Sequence, residues 1–273
     1  MMAAVNRESY AAAADKLAAG STSVTAAQLA TIADEILAVA RLLRGEPRLR
    51  RALTDPSRSA DERAGLFQSL VSGKLSVITV DTLATLVAGR WSAPAELLDA
   101  TERLGTDTVL TAADRDGKLA DVEDELFRFG QVVSGNGRLA VTLSDPSASA
   151  DQRAKLVEDL LKGKVQTATL QLVKIALEGF GGRSFESSLS KLVELTAAKR
   201  DRELAYVTAA KVLDDAEEQR LAAKLSDIYG RQVSLKVEVD PSIIGGLSVR
   251  VGSDLYDGTI LRRLNEARQA FAK

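Results

Sequence analysis

Four carboxylates crowd one stretch near the C-terminus, at Asp214, Asp215, Glu217 and Glu218. Carboxylates at short range are the material of general acid–base chemistry. The same residues also suit a first helical turn, where their oxygens accept from free amides and their charge meets the positive end of the helix dipole. A helix start is the simpler reading, with Gly230 at its end. Gly73-Lys74 and Gly163-Lys164 hint at a phosphate loop, but Leu75 and Val165 stand where that loop needs serine or threonine. Each glycine instead fits a left-handed helix terminus. In Asp114-Arg115-Asp116-Gly117 the glycine comes two positions too early for a calcium loop, so a turn and helix start are predicted. Glu123-Asp124-Glu125 reads as a solvated helix face, and Trp91 suits a partner anchor and a core filler equally.

The chain has neither histidine nor cysteine. Ser-His and Cys-His pairs, thiolate or imidazole zinc sites and disulfides are therefore excluded. A hydrolase built on carboxylates or a Ser-Lys pair lacks a matching constellation. Lysine plus arginine (36) nearly balances aspartate plus glutamate (38), which removes the electrostatic footing for nucleic acid. No apolar run approaches the ~20 residues that span a bilayer, and Met1–Arg7 lacks signal-peptide character, so a cytoplasmic chain is expected. With 45% hydrophobic residues and few aromatics, the 273-residue chain suits helices packed through alanine and aliphatic side chains.

The elements repeat. Leu53-Thr54-Asp55-Pro56-Ser57, Ser59-Ala60-Asp61-Glu62-Arg63-Ala64 and Gly73-Lys74 recur 90 positions later as Leu143-Ser144-Asp145-Pro146-Ser147, Ser149-Ala150-Asp151-Gln152-Arg153-Ala154 and Gly163-Lys164. A period this long means a duplicated small domain, since solenoid repeats run about 20–50 residues. A capping box at Thr25 and Gln28 starts a helix whose stripe is Leu29, Ile32, Ile36, Val39 and Leu43. Leu119, Val122, Leu126, Phe129 and Val133 repeat the stripe without the threonine box. Ser59 with Glu62, and Ser149 with Gln152, predict two more boxes. Further helices are predicted over 6–18, 77–89, 95–112, 165–179 and 185–198. The copies differ at Arg48, Arg50 and Arg51, where the second has Arg138, Ala140 and Val141, which suggests divergent binding surfaces.

After about residue 200 the period changes. Residues 204–212, 233–239 and 243–251 alternate as strands do, and Asp257-Gly258 turns into a last helix with the stripe Ile260, Leu264, Ala267 and Phe271. The fold class expected is mainly α: tandem helical bundles over 1–105 and 106–200, then a small α+β domain over 201–273.

That last domain carries a specific motif. Asp240-Pro241-Ser242-Ile243-Ile244-Gly245-Gly246-Leu247-Ser248-Val249-Arg250-Val251-Gly252, followed by Asp257-Gly258-Thr259-Ile260 and Arg263-Leu264, resembles the signature of the delta-subunit family of rotary ATP synthases. That family is the bacterial counterpart of the oligomycin-sensitivity-conferring protein, and the duplication is similar to the actinobacterial type. The resemblance implies a non-catalytic stator of the peripheral stalk, without cofactor or metal. It implies docking to alpha-subunit N-terminal segments and to the b subunits, without nucleic acid or membrane insertion, at the cytoplasmic face of the plasma membrane. The signature positions are Asp240, Gly245, Gly246, Val249, Arg250, Gly252, Asp257 and Gly258. Locally, the glycine pair is expected to allow a bulge or close backbone approach within a strand.

Overall fold

Threonine 25 caps its helix as its spacing predicts. Its hydroxyl accepts from the Gln28 amide while the Gln28 side chain accepts from the Thr25 amide, opening α2 (Ala26–Gly45). In this computed structural model, residues 4–145, 147–200, 202–229, 232–241, 243–251, 254–260 and 262 are described. Pro146, Gly230, Ser242, Gly252, Arg263, Leu264, Ala267 and Phe271 lie outside them.

Before α2 comes α1 (Ala4–Gly20), and after it α3 (Pro47–Leu53), α4 (Ala60–Val71), α5 (Val77–Ala88) and α6 (Pro94–Arg115). The second copy continues with α7 (Leu119–Gly135), α8 (Gly137–Ser144), α9 (Ala150–Leu161), α10 (Thr167–Leu177), a 3-10 turn (Phe180–Gly182) and α11 (Phe185–Arg200). The boxes at Ser59 and Ser149 form with both reciprocal bonds. Gly73 and Gly163 end their helices at φ 69° and 73°, a conformation that glycine adopts without a Cβ penalty. Both predicted stripes are buried.

Two details depart from expectation. The turn and helix start expected at Asp114–Gly117 come slightly later, at 116–117 and Leu119, because Asp114 and Arg115 still belong to α6. Gly117, at φ 69°, closes that helix, with the Lys118 amide donating to the Ala113 carbonyl at 2.8 Å. Second, the expected bundle boundary at 105/106 falls inside α6, which runs unbroken. Residues 1–105 and 106–200 do not separate as compact bodies, because one unit covers Met1–Thr196. The physical reason is that α6 serves two cores. Leu97, Ala100, Leu104 and Ala112 pack with the first copy, whereas Val109, Leu110 and Ala113 pack with the second. A shift of 90 residues also carries α1 onto 94–110, so α6 closes one copy and opens the next.

The second unit, Ala197–Lys273, holds a four-stranded sheet in the order β2-β1-β3-β4. Its strands are β1 (Arg202–Ala209), β2 (Gln232–Val239), β3 (Leu247–Val251) and β4 (Asp254–Asp257). The parallel pair β1 and β2 is joined through α12 (Asp215–Tyr229), because parallel neighbours need a crossover. β3 runs antiparallel to β1, with Val249 opposite Val207. Ala205, Val207, Leu225, Val233, Val249 and Val251 form the core. The strand expected from residue 243 begins only at Leu247, since Gly245 and Gly246 precede it in a turn, and β4 has too few residues to register as an alternating pattern.

Candidate docking surfaces

Within the first unit, one face of α2 docks the first copy on the second. Asp34 accepts a hydrogen bond from the Gln171 amide on α10. Leu37, only 8% exposed, lies over Gly105 of α6, where an added Cβ would stand 2.7 Å from Leu37 Cδ2. Arg41 pairs with Glu178 at 3.8 Å. Arg44 pairs with Glu102, a carboxylate only 2% exposed, whose second oxygen accepts from the Gly181 amide at 2.9 Å. A buried carboxylate is tolerable when a guanidinium and an amide share its charge. Burial raises the Glu178 carboxyl above its ordinary range, against the opposing charges of Arg41 and Arg44. Burial likewise raises Asp99, with the Glu102 charge adding.

Other repeated polar residues are structural. Glu35 accepts from the Ser76 amide and hydroxyl at 3.0 and 2.6 Å, and from Thr79, holding the start of α5. Its counterpart Glu125 does the same for α10 through the Gln166 amide at 2.9 Å and the Thr169 hydroxyl at 2.5 Å. Glu125 thus leaves the solvated face expected of residues 123–125, because a helix N-terminus needs acceptors. Buried Arg63 donates to carbonyls of Arg58, Ala88 and Gly89 at 2.7–3.0 Å and, at longer range, to those of Asp55 and Val87. Arg50, one of the divergent arginines, donates to the Leu43 and Arg44 carbonyls and so closes α2. In the second copy Ala140 stands in its place, and Asn136 caps the following helix, α8, by accepting from the Leu139 amide at 3.1 Å. Trp91 is a core filler, packed against the first core with its Nε1 donating to the Leu86 carbonyl at 3.1 Å.

At the expected carboxylate cluster, Asp214 accepts from the Glu217 amide at 2.7 Å while Glu217 accepts from the Asp214 amide at 3.1 Å. These residues form a reciprocal cap and leave no paired acid and base. Among the described residues no group of three or more His, Cys, Asp or Glu is placed to hold a metal ion.

The signature residues gather around one turn of the second unit. Gly245 and Gly246 adopt φ 87° and 85°. A Cβ on Gly246 would lie 2.5 Å from the Gly258 carbonyl, and one on Gly245 would lie 2.8 Å from Ile260 Cδ1. The Ile260 amide donates to the Gly245 carbonyl at 3.1 Å and the Gly258 amide to the Leu247 carbonyl at 2.9 Å. The close approach expected of the glycines is therefore present, between two turns rather than within a strand. Asp257 accepts from the Thr259 amide at 3.0 Å, a bond that holds its carboxyl below the ordinary range. The Asp240 amide donates to the Ala209 carbonyl at 2.9 Å. Val249 is buried at the sheet centre, and Arg250 is exposed in β3. Ile244, Leu255, Tyr256 and Ile260 leave apolar surface exposed in this unit.

The sequence signal for the α2 seam lies in the repeat. Comparing positions 90 apart exposes Leu37 against Phe127 and Gln171 against Asp81.

The profile of the "ATP synthase delta (OSCP) subunit" family matches residues 7–104 and again 106–271. The ATP synthase subunit delta of Salinispora arenicola is 58% identical over 273 residues, covering all of both chains. That of Salinispora tropica is 56% identical, also over the whole of both. That of Streptomyces griseus subsp. griseus is 42% identical, covering 99% of this chain and 100% of its own.

Proposed function

The chain belongs to the ATP synthase delta (OSCP) family, and on that premise we propose which surfaces it uses as the enzyme's stator. It is a structural, non-catalytic subunit of the ATP synthase complex and a part of its peripheral stalk, held at the membrane's periphery. Among the described residues, no helix is long and apolar enough to cross a membrane.

The proposal assigns N-terminal segments of the alpha subunits to the helical repeats 1–105 and 106–200, and the b subunits to the α+β domain over 201–273, at the cytoplasmic face of the plasma membrane. Helix-in-groove docking suits alanine-rich bundles, whose small side chains let a partner helix approach closely. The exposed Ile244, Leu255, Tyr256 and Ile260 give the last domain apolar surface next to the signature turn. A stator works by refusing to twist, so its parts need stiffness rather than reactive groups. Continuous α6, about 33 Å long at 1.5 Å per residue, meets that need.

The full-length identity to named delta subunits carries the reading. Co-purification tests it. The tagged chain, taken from detergent-solubilised membranes, brings down alpha, beta and b subunits, and membranes depleted of the chain hydrolyse ATP without pumping protons. Retention of full coupling after depletion would overturn the stator role. Crosslinking of alpha N-termini to 201–273 instead of 1–200 would overturn the surface assignment.

A further inference from the structure

Two of the chain's four tyrosines meet in the α+β domain. Tyr229 ends α12, with its ring packed against the domain core. Its hydroxyl reaches β4, at one edge of the sheet, where it lies 3.0 Å from an Asp254 carboxylate oxygen and 3.1 Å from the Tyr256 hydroxyl. Asp254 and Tyr256 stand two positions apart in β4, so their side chains leave the strand on one face. A phenol has a single proton to give. Tyr229 therefore donates to Asp254 and accepts from Tyr256, which makes a relay of two phenols ending on a carboxylate.

Nothing in a stator's work calls for such a relay. A base within hydrogen-bond reach of the proton it removes is the geometry of general-base catalysis, and here it stands on an oxidisable phenol. The hydrogen bond with Tyr256 and the negative charge of Asp254 raise the Tyr229 hydroxyl above its ordinary range. Tyr229 is thus a neutral phenol at pH 7, and its proton must leave as its electron does. Competing sinks are few. The chain has no cysteine, its one tryptophan, Trp91, packs against the first helical core with Nε1 bonded to the Leu86 carbonyl, and Tyr10 donates to Asp107 in the helical unit.

We propose that Tyr229 and Tyr256 form an oxidative crosslinking site, with Asp254 as the base for the Tyr229 proton. The co-reactant is a one-electron oxidant such as a carbonate radical. One equivalent takes an electron from Tyr229 while the hydroxyl proton passes to Asp254 and on to solvent. A second takes an electron from Tyr256, whose proton goes to water. The two phenoxyl radicals join through ring carbons ortho to their oxygens, and each displaced ring hydrogen then restores a hydroxyl. One C–C bond is formed, and two electrons and two protons leave in all. The product ties α12 to the edge strand across 27 positions, which restricts the unfolded chain as a disulfide does and fixes the strand that leads into Asp257-Gly258.

Brief oxidation of the full chain with photo-excited ruthenium tris-bipyridyl and persulfate tests the site. Trypsin digestion of the monomer band should release residues 225–231 joined to 251–262, each with a single tyrosine, two hydrogens lighter than their sum. Tyr229→Phe and Tyr256→Phe should each abolish that species, Tyr10→Phe should leave it unchanged, and unfolding in urea before oxidation should remove it. Asp254→Asn should slow its formation about tenfold, less than the full range of general-base catalysis because water competes for the proton. Absence of the joined peptides from the oxidised wild-type monomer would overturn the proposal. So would their formation only between two chains, their persistence in urea, or equally fast coupling in Asp254→Asn.

Discussion

Gly105→Ala isolates the close approach on which the helical unit depends. Gly105 is buried in mid-α6, and alanine should favour the helix by about 1 kcal/mol through propensity alone. The added Cβ, however, would stand 2.7 Å from Leu37 Cδ2, 2.8 Å from Leu37 Cγ and 3.3 Å from Ile36 Cγ2. Rotating one terminal methyl cannot relieve contact with both Cδ2 and Cγ, so either Leu37 changes χ1 within a packed core or α2 and α6 part. Overpacking of this kind costs about 1–3 kcal/mol. The sum is a loss of up to about 2 kcal/mol, with Leu37 shifted between the Asp34 and Arg41 contacts. Gly65→Ala is the matched control: exposed in α4 with nothing within 4 Å of its Cβ position, it should gain about 1 kcal/mol. Urea denaturation followed by Trp91, the sole tryptophan, reads both midpoints. If Gly105→Ala stabilised the chain as much as Gly65→Ala, the packing argument would be wrong.

Arg63→Ala should cost about 3 kcal/mol, because it strands several buried carbonyls, whereas Arg153→Ala, whose guanidinium bonds the Leu143 carbonyl at 3.0 Å, should cost about 1. Thermal denaturation compares the two, and equal losses would refute the difference. Glu178→Gln tests the raised carboxyl: a raised folded pKa means that the stability contributed is present below the unfolded value near 4.5 and lost as pH climbs through the folded one. The glutamine variant should therefore gain on wild type at pH 7 and lose that gain below about pH 4; a gain that stayed level with pH would contradict the assignment. Gly246→Ala should disrupt the signature turn, since φ 85° and a 2.5 Å approach to the Gly258 carbonyl both exclude a Cβ. Hydrogen exchange should show faster exchange of the Gly258 and Ile260 amides, and unchanged protection there would count against that role.

Much of this architecture was legible because it is local. A capping box needs only four consecutive residues, so Thr25, Ser59 and Ser149 declared their helices, and five-residue apolar stripes announced which faces are buried. The glycine pair declared a close approach for the same reason. What stayed hidden depends on residues distant in the chain. Glu35 and Glu125 resemble solvent-facing acids until helices 41 positions away offer their amides. Gly105 gives no local sign that α2 will lie against it. β4 spans four residues, too few for alternation to show. The 105/106 boundary follows the period of the repeat, and what the sequence leaves hidden is that one helix, α6, belongs to both copies.

That shared helix explains how duplication can lengthen a stator without adding a hinge. Two bundles joined by a loop would bend wherever the loop bends. Here, bending between the copies requires kinking α6, which surrenders roughly one turn of i to i−4 hydrogen bonds at about 1 kcal/mol each. It also requires lifting α2 from its seat, exposing Ala33 and Leu37 and separating Arg44 from buried Glu102. The second loss is the costlier in kind, because Glu102 would remain buried without its counter-ion. Side-chain substitutions at the seam therefore govern stiffness more than substitutions along the solvent face of α6, and a stator selected for rigidity keeps a buried charge, Glu102, at the joint between its repeats.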